Sequence, residues 1–338
     1  MKAVGASRPL PIDDPQSLVD FELPKPAPGA RDLLVRVEAV SVNPVDTKVR
    51  SKVAADAAQP HILGYDAAGV VEAIGEAVTL FKPGDEVFYA GDITRPGTNA
   101  QFHLVDERIV GEKPKTLDFT HAAALPLTSL TAWELLFERM GIDPDGSDRG
   151  KNLLILAGAG GVGSMAIQFA KLAGLNVIAT ASRPETIDWC RTLGADHVID
   201  HRKPLAESLK ALGLASVELI VNFVDTDGYW QQVAEIIAPQ GHIGLIVEPK
   251  RDVYVGNPIK DKSVGIHWES MFTRARHRTD DMIRQHDILD RVAGLIDAGK
   301  IRSTLQKTLS PINAANLREA HRLIESGKSV GKVAVVGW

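Results

Sequence analysis

Gly158-Ala159-Gly160-Gly161-Val162-Gly163 is the stretch of this chain best suited to holding a charged ligand. Glycines spaced G-x-G-x-x-G let a backbone turn tightly and lie against a pyrophosphate. Backbone N–H groups and the positive end of a helix dipole then meet its charge. The setting agrees: the apolar run Leu153-Leu154-Ile155-Leu156-Ala157 leads in and an amphipathic stretch leads out. Strand, glycine turn and helix in that order are the fingerprint of dinucleotide binding. About twenty residues on, an NAD site places an Asp or Glu at the end of the next strand to hold the ribose 2′-hydroxyl. Here Asn176–Thr180 runs into Ala181-Ser182-Arg183-Pro184, and Glu185 arrives only as a helix opens. A serine hydroxyl and a guanidinium suit a 2′-phosphate instead. Ser182 and Arg183 therefore point to NADPH as the cofactor.

A glycine loop of this kind works at the C-terminal edge of a parallel sheet, and the text around it has the required alternation. Strands are expected at Asn152–Ala157, Asn176–Thr180, His197–Asp200, Leu219–Val224, His242–Val247 and Ser263–His267. Helices are expected at Gly163–Leu172, Glu185–Leu193, Leu205–Leu212 and Tyr229–Ile237. Ligands bind beyond the C-terminal ends of such strands, so Phe223, Val224, Leu245, Ile246 and Val247 are assigned to the nicotinamide pocket. Residues 1 to about 125 read differently: Asp32–Val42, Ala68–Ile74, Asp85–Tyr89 and Ala100–Val105 are β-branched runs punctuated by Pro-Gly turns. After about 270 helices return at Asp280–Ala298 and Ala314–Ser326, and a last strand, Lys332–Val336, is expected to rejoin the first domain. The basic run Arg274–Arg278 reads as a solvated loop.

At 338 residues the chain exceeds what one hydrophobic core usually serves, so two domains are expected. A net charge of −5 with both signs scattered gives no nucleic-acid footprint. No apolar run is long enough to span a membrane. A single cysteine, Cys190, excludes an intramolecular disulfide and agrees with a reducing cytoplasm.

Four further stretches carry a resemblance: Ser41–Asp46 (SVNPVD), Gly64–Val71 (GYDAAGVV), Phe81–Val87 (FKPGDEV) and Ala122–Trp133 (AAALPLTSLTAW). With the glycine loop they resemble the medium-chain dehydrogenase/reductase superfamily, in its quinone oxidoreductase-like branch, over nearly the whole chain. Thr273–Asp281 and the ending Gly327–Val336 resemble a bacterial subgroup labelled zinc-type alcohol dehydrogenase-like. The fold class implied is α/β: a GroES-like β-barrel catalytic domain, residues 1–127 and 270–338, plus a Rossmann doubly wound parallel-sheet coenzyme domain, residues 128–269. A homodimer acting on a small molecule is implied as well.

The zinc label fits the residues poorly. Zinc-bearing members place a cysteine where Asn43 stands, a histidine where Tyr65 stands, and a cysteine near Leu127 or Thr128. Asparagine, tyrosine, leucine and threonine do not build a Cys/His zinc shell, and no metal site is expected. Without a metal, side chains must stabilise the oxygen that becomes negative. Asn43 and Tyr65 are the expected donors, and Thr131 is expected to reach the nicotinamide side. Asp46 is expected to be buried beside an Arg or Lys. The reading is an NADPH-dependent reductase of quinones or α,β-unsaturated carbonyl compounds. A zinc alcohol dehydrogenase and a non-catalytic NADPH-binding protein are its alternatives.

Overall fold

In the computed structural model, which describes residues 1–54 and 59–338, the chain divides into two compact units. One comprises residues 131–271 and the other residues 1–130 with 272–338.

Residues 131–271 build a six-stranded parallel sheet. In spatial order its strands are His197–Ile199, Asn176–Thr180, Asn152–Leu156, Val217–Asn222, Ile237–Leu245 and Gly265–Trp268. Leu153, Leu154, Ile155 and Leu156 are wholly buried, because helices cover both faces of such a sheet and leave no solvated side to alternate towards. Each such side chain contributes about 1.5–3 kcal/mol of hydrophobic stabilisation. The helices Gly161–Leu172, Pro184–Thr192, Leu205–Ala211 and Thr226–Ile236 form the crossovers.

Several strand limits differ from expectation, two of them with a clear local reason. The strand expected to reach Val224 stops at Asn222, whose side-chain oxygen accepts the Val224 and Asp225 N–H groups at 3.1 and 3.2 Å. That local turn ends the ladder. The strand expected from His242 begins at Ile237, which pairs with Val217 before a register shift.

The other unit is built on the long strand Asp32–Val42, which pairs antiparallel with Asp66–Ile74, Phe102–Asp106 and the final strand Lys332–Val336. Glu86–Tyr89, Val110–Glu112 and Leu305–Leu309 complete a seven-stranded sheet, and Lys2–Ala6, Val19–Glu22 and His61–Ile62 form a three-stranded one. Val35, Val37, Val40, Ala67, Val71 and Val87 form its apolar core, with helix Ala314–Glu325 adding Leu317 and Ala320.

The basic run is a correction. Thr273–His277 is a helix, not a solvated loop, and Arg274 is buried with its guanidinium 2.8 Å from Asp281. Because Asp281 turns back to make that pair, the helix expected from Asp280 starts at Arg284. Among the described residues no helix is long and apolar enough to cross a membrane.

Candidate active site

At the dinucleotide end, the glycines divide by what surrounds them. A Cβ on Gly158 would stand 2.7 Å from the Ala179 Cβ and 3.2 Å from the Cys190 Sγ, so Cys190 packs against the loop as a small apolar group. A Cβ on Gly163 would stand 2.3 Å from the Ala157 carbonyl oxygen. These two glycines are required by the loop's own packing. A Cβ on Gly160 would meet nothing nearer than that same oxygen at 3.4 Å. The backbone there is left uncovered by neighbouring side chains. Gly160 caps helix Gly161–Leu172, whose first N–H groups have no earlier turn to bond to. Thr180 fixes the loop from the neighbouring strand, its hydroxyl accepting the Ala157 N–H at 3.0 Å and its carbonyl the Gly158 N–H at 3.2 Å.

Past Thr180, Ser182 and Arg183 are half-buried, and Arg183 is the N-cap of helix Pro184–Thr192. Its Nε lies 3.2 Å from the Glu185 carboxylate. A second guanidinium, missed in the sequence, lies at the same place: Arg202 donates to the Ser182 carbonyl at 3.3 Å while gripping Asp200 at 2.6 Å. The run His201-Arg202-Lys203 was the signal that could have found it. Phe223 and Val224 follow a strand end as expected, half-buried and exposed respectively. Leu245 points into the apolar core, so only its backbone and the half-buried Ile246 and Val247 are available to a ligand.

In the other unit, strand Asp32–Val42 ends directly on Asn43, and Pro44 starts helix Pro44–Arg50. Asp46, one turn in, accepts the Asn43 N–H at 2.7 Å. Gly64 lets the chain reverse into Tyr65 and Asp66. Its φ is +97°, and a Cβ there would stand 2.6 Å from Asn99 and Thr98 side-chain oxygens. Asp66 is the centre of what results. Fully buried, it accepts from Ser41 Oγ at 2.8 Å, Asn43 Nδ2 at 2.7 Å, the Leu127 N–H at 2.7 Å and Lys332 Nζ at 3.0 Å. Lys332, also buried, donates to the Val42 carbonyl at 3.1 Å and to Asn43 Oδ1. A buried carboxylate and ammonium are tolerable only with such hydrogen bonds around them.

This network revises the expectation for Asn43. Both ends of its amide are engaged, by Asp66 and by Lys332, so it positions its neighbours rather than standing open as a donor. Tyr65 differs. Its ring packs edge-on against Phe272 at 5.1 Å, and its hydroxyl has no hydrogen-bond partner among the described residues. Burial pushes its pKa well up, and the charges of Asp46 and Asp92 add to the rise. The phenol therefore keeps its proton at neutral pH and can donate it to an acceptor. Asp46 is buried beside Lys332 as expected. Burial pushes its pKa up to about 7, against the Asn43 and Gly64 hydrogen bonds and the Lys332 charge, which lower it. Thr131 is buried on helix Pro126–Trp133, at the start of the other unit. His103 is structural, held between the Tyr89 hydroxyl at 3.1 Å and the Pro96 carbonyl at 3.0 Å.

A zinc ion needs an assembly of Cys, His or carboxylate ligands. Among the described residues no group of three or more His, Cys, Asp or Glu side chains could hold a metal ion. The donors present around position 43 do not fit zinc: an amide already doubly bonded, a phenol, and a carboxylate compensated by an ammonium.

A parallel-sheet unit with a dinucleotide loop, joined to a β unit carrying a buried polar cluster, defines a two-domain nicotinamide-type oxidoreductase fold. Residues 29–115 match the model of the alcohol dehydrogenase GroES-like domain, and residues 193–335 that of the zinc-binding dehydrogenases. A zinc-type alcohol dehydrogenase-like protein of Staphylococcus aureus is 42% identical over 336 residues, 99% of each chain. The mouse mitochondrial NAD(P)H oxidoreductase RTN4IP1 is 32% identical over 90% of this chain and 81% of its own. Among solved structures, a provisionally assigned zinc-dependent alcohol dehydrogenase of Rhizobium etli is 55% identical, with a TM-score of 0.94 over 100% of this chain and 98% of its own. The quinone oxidoreductase of Pseudomonas syringae is 26% identical, with a TM-score of 0.84 over 99% of each. The chain belongs to the medium-chain dehydrogenase/reductase superfamily, in its quinone oxidoreductase-like branch.

Proposed function

We propose that this oxidoreductase is zinc-independent and reduces a quinone, or the β-carbon of an α,β-unsaturated carbonyl compound, with NADPH. The observation that carries the reading is the polar cluster itself, in which Asn43, Asp66 and Lys332 bond to one another and Lys332 supplies the positive charge next to Asp66, at positions where the resemblance implies zinc ligands in zinc-bearing members. The relatives named for NAD(P)H and quinone oxidoreduction support the same class.

NADPH, when bound, supplies the hydride. The Gly158–Gly163 loop would hold its pyrophosphate, and Ser182, Arg183 and Arg202 its 2′-phosphate. Thr131, Phe223, Val224 and the Leu245–Val247 backbone would line the nicotinamide side. With hydride delivered to the β-carbon, electrons would move onto the carbonyl oxygen, the Tyr65 hydroxyl would donate a hydrogen bond to it, and water would supply the proton that completes the reduction. Asn43, Asp66 and Lys332 hold the strand end and the Gly64 turn so that this hydroxyl stays in place. One well-aimed donor is worth about a hundredfold or more in rate.

The test is cofactor oxidation by the purified protein with a panel of quinones and enones, using NADPH and NADH in parallel. Turnover preferring NADPH is expected, with Tyr65→Phe lowering kcat about a hundredfold and leaving NADPH binding intact. NADPH binding without turnover of any acceptor would refute catalysis, and an undiminished Tyr65→Phe would refute the donor.

A further inference from the structure

We propose that Phe272 is a positioning residue for the reaction, its ring holding the Tyr65 phenol in the orientation from which the hydroxyl donates. The proposal rests on the reductase reading and concerns how its donor is kept in place.

The backbone around Tyr65 is pinned on both sides. Thr98 donates its N–H to the Gly64 carbonyl at 2.8 Å and its hydroxyl to the Asp66 carbonyl at 3.2 Å. A Cβ on Gly91 would stand 3.4 Å from the Tyr65 carbonyl oxygen, so that loop backs onto the same turn. The side chain has no polar tie of this kind. The χ2 torsion of a phenol is soft, and the Tyr65 hydroxyl has no hydrogen-bond partner among the described residues. Packing must therefore set the angle of the ring. Tyr65 is 2% exposed and Phe272 8%, and their rings meet at 5.1 Å with planes 65° apart. This is the edge-to-face arrangement that ring quadrupoles favour. It is directional, whereas an aliphatic side chain in the same space would prefer no particular ring angle.

Phe272 is itself held from behind. It caps helix Thr273–His277, its carbonyl accepting the Arg276 N–H at 2.8 Å. Arg274 in that helix grips one Asp281 oxygen with two nitrogens, at 3.0 and 2.8 Å, and its carbonyl accepts the Thr279 N–H at 3.1 Å. The buried arginine of the basic run thus anchors the short helix that presents Phe272 to the donor.

The experiment uses the full chain and a double-mutant cycle of Phe272→Leu with Tyr65→Phe, with NADPH and either (E)-3-nonen-2-one or 2-methyl-1,4-naphthoquinone as acceptor. Phe272→Leu should lower kcat about tenfold and leave NADPH binding intact, and Phe272→Tyr, which keeps the ring, should restore most of it. In the Tyr65→Phe background Phe272→Leu should cost nothing further, because the hydroxyl it positions is gone. An equal loss in both backgrounds is what a merely structural role gives, and it would overturn the proposal, as would an undiminished Phe272→Leu. A second readout needs no turnover. With tyrosine labelled by 13C at both Cε positions, a ring held against flipping gives two NMR signals and a freely flipping ring gives one. Among the four tyrosines, the Tyr65 signals are those missing from Tyr65→Phe. Two signals in the wild type and one in Phe272→Leu are expected; two in both proteins, or one in both, would overturn the proposal. The expected signals together with an undiminished Tyr65→Phe, or with no turnover by the wild type, would support the ring contact and refute the reading of the reaction.

Discussion

Asp66 was visible in the sequence as part of a motif, but its partners were not. Lys332 reaches it across 266 positions, and no local pattern announces a pairing of that range. The consequence fell on Asn43. Its residue type correctly marked it as a hydrogen-bonding group, yet which bonds it makes is decided by the strand Lys332–Val336 lying beside Asp32–Val42. Tyr65 was legible because it stands where zinc-bearing members carry a histidine, and the burial of its hydroxyl emerges only from packing. Asp46 gives the residue scale its prediction. Its folded pKa of about 7 lies above the ordinary 3.8, so between those values the folded chain binds more protons than the unfolded chain. Stability attributable to this group therefore falls as pH rises through that window, by about 1.4 kcal/mol per unit. Asp46→Asn removes the titration while keeping an oxygen for the Asn43 N–H. Urea unfolding from pH 4 to pH 7 should show the variant gaining on the wild type as pH rises, and a constant difference would contradict the assignment.

At the scale of elements, the Rossmann strands were readable because a parallel strand buried on both faces is a continuous apolar run, as Leu153–Leu156 is. The short strands Lys2–Ala6, Val19–Glu22 and His61–Ile62 were not, since two to five residues hold too little pattern to separate strand from loop. The Arg274 helix was misjudged for another reason: four cationic or polar residues out of five look solvated unless one of them is buried against a partner, as Arg274 is against Asp281. The glycine loop allows a sharper statement than the motif did. Gly163→Ala drives a methyl into the Ala157 carbonyl and should lower Tm by several degrees. Gly160→Ala meets no such obstacle and should leave Tm unchanged while weakening NADPH binding about tenfold, because its methyl occupies the pyrophosphate's approach. Thermal unfolding and cofactor titration on both variants check this, and equal losses of stability would contradict it.

For the whole molecule, the two units have separate cores, and the proposed roles of holding the cofactor and orienting the carbonyl fall to different parts of the chain. A homodimer remains a proposal. Among the described residues strand Gly265–Trp268 has one neighbour in its sheet, and its last residue, Trp268, is 50% exposed, a surface on which a second copy could extend the sheet. The central claim is that this member of a family named for zinc works through Tyr65 and the Asn43–Asp66–Lys332 cluster alone. It is tested most directly by measuring NADPH oxidation with a quinone or enone acceptor before and after exhaustive chelation, alongside the zinc content of each sample. Undiminished kcat in zinc-free protein is the predicted result. Activity that vanishes on chelation and returns with stoichiometric zinc would contradict it.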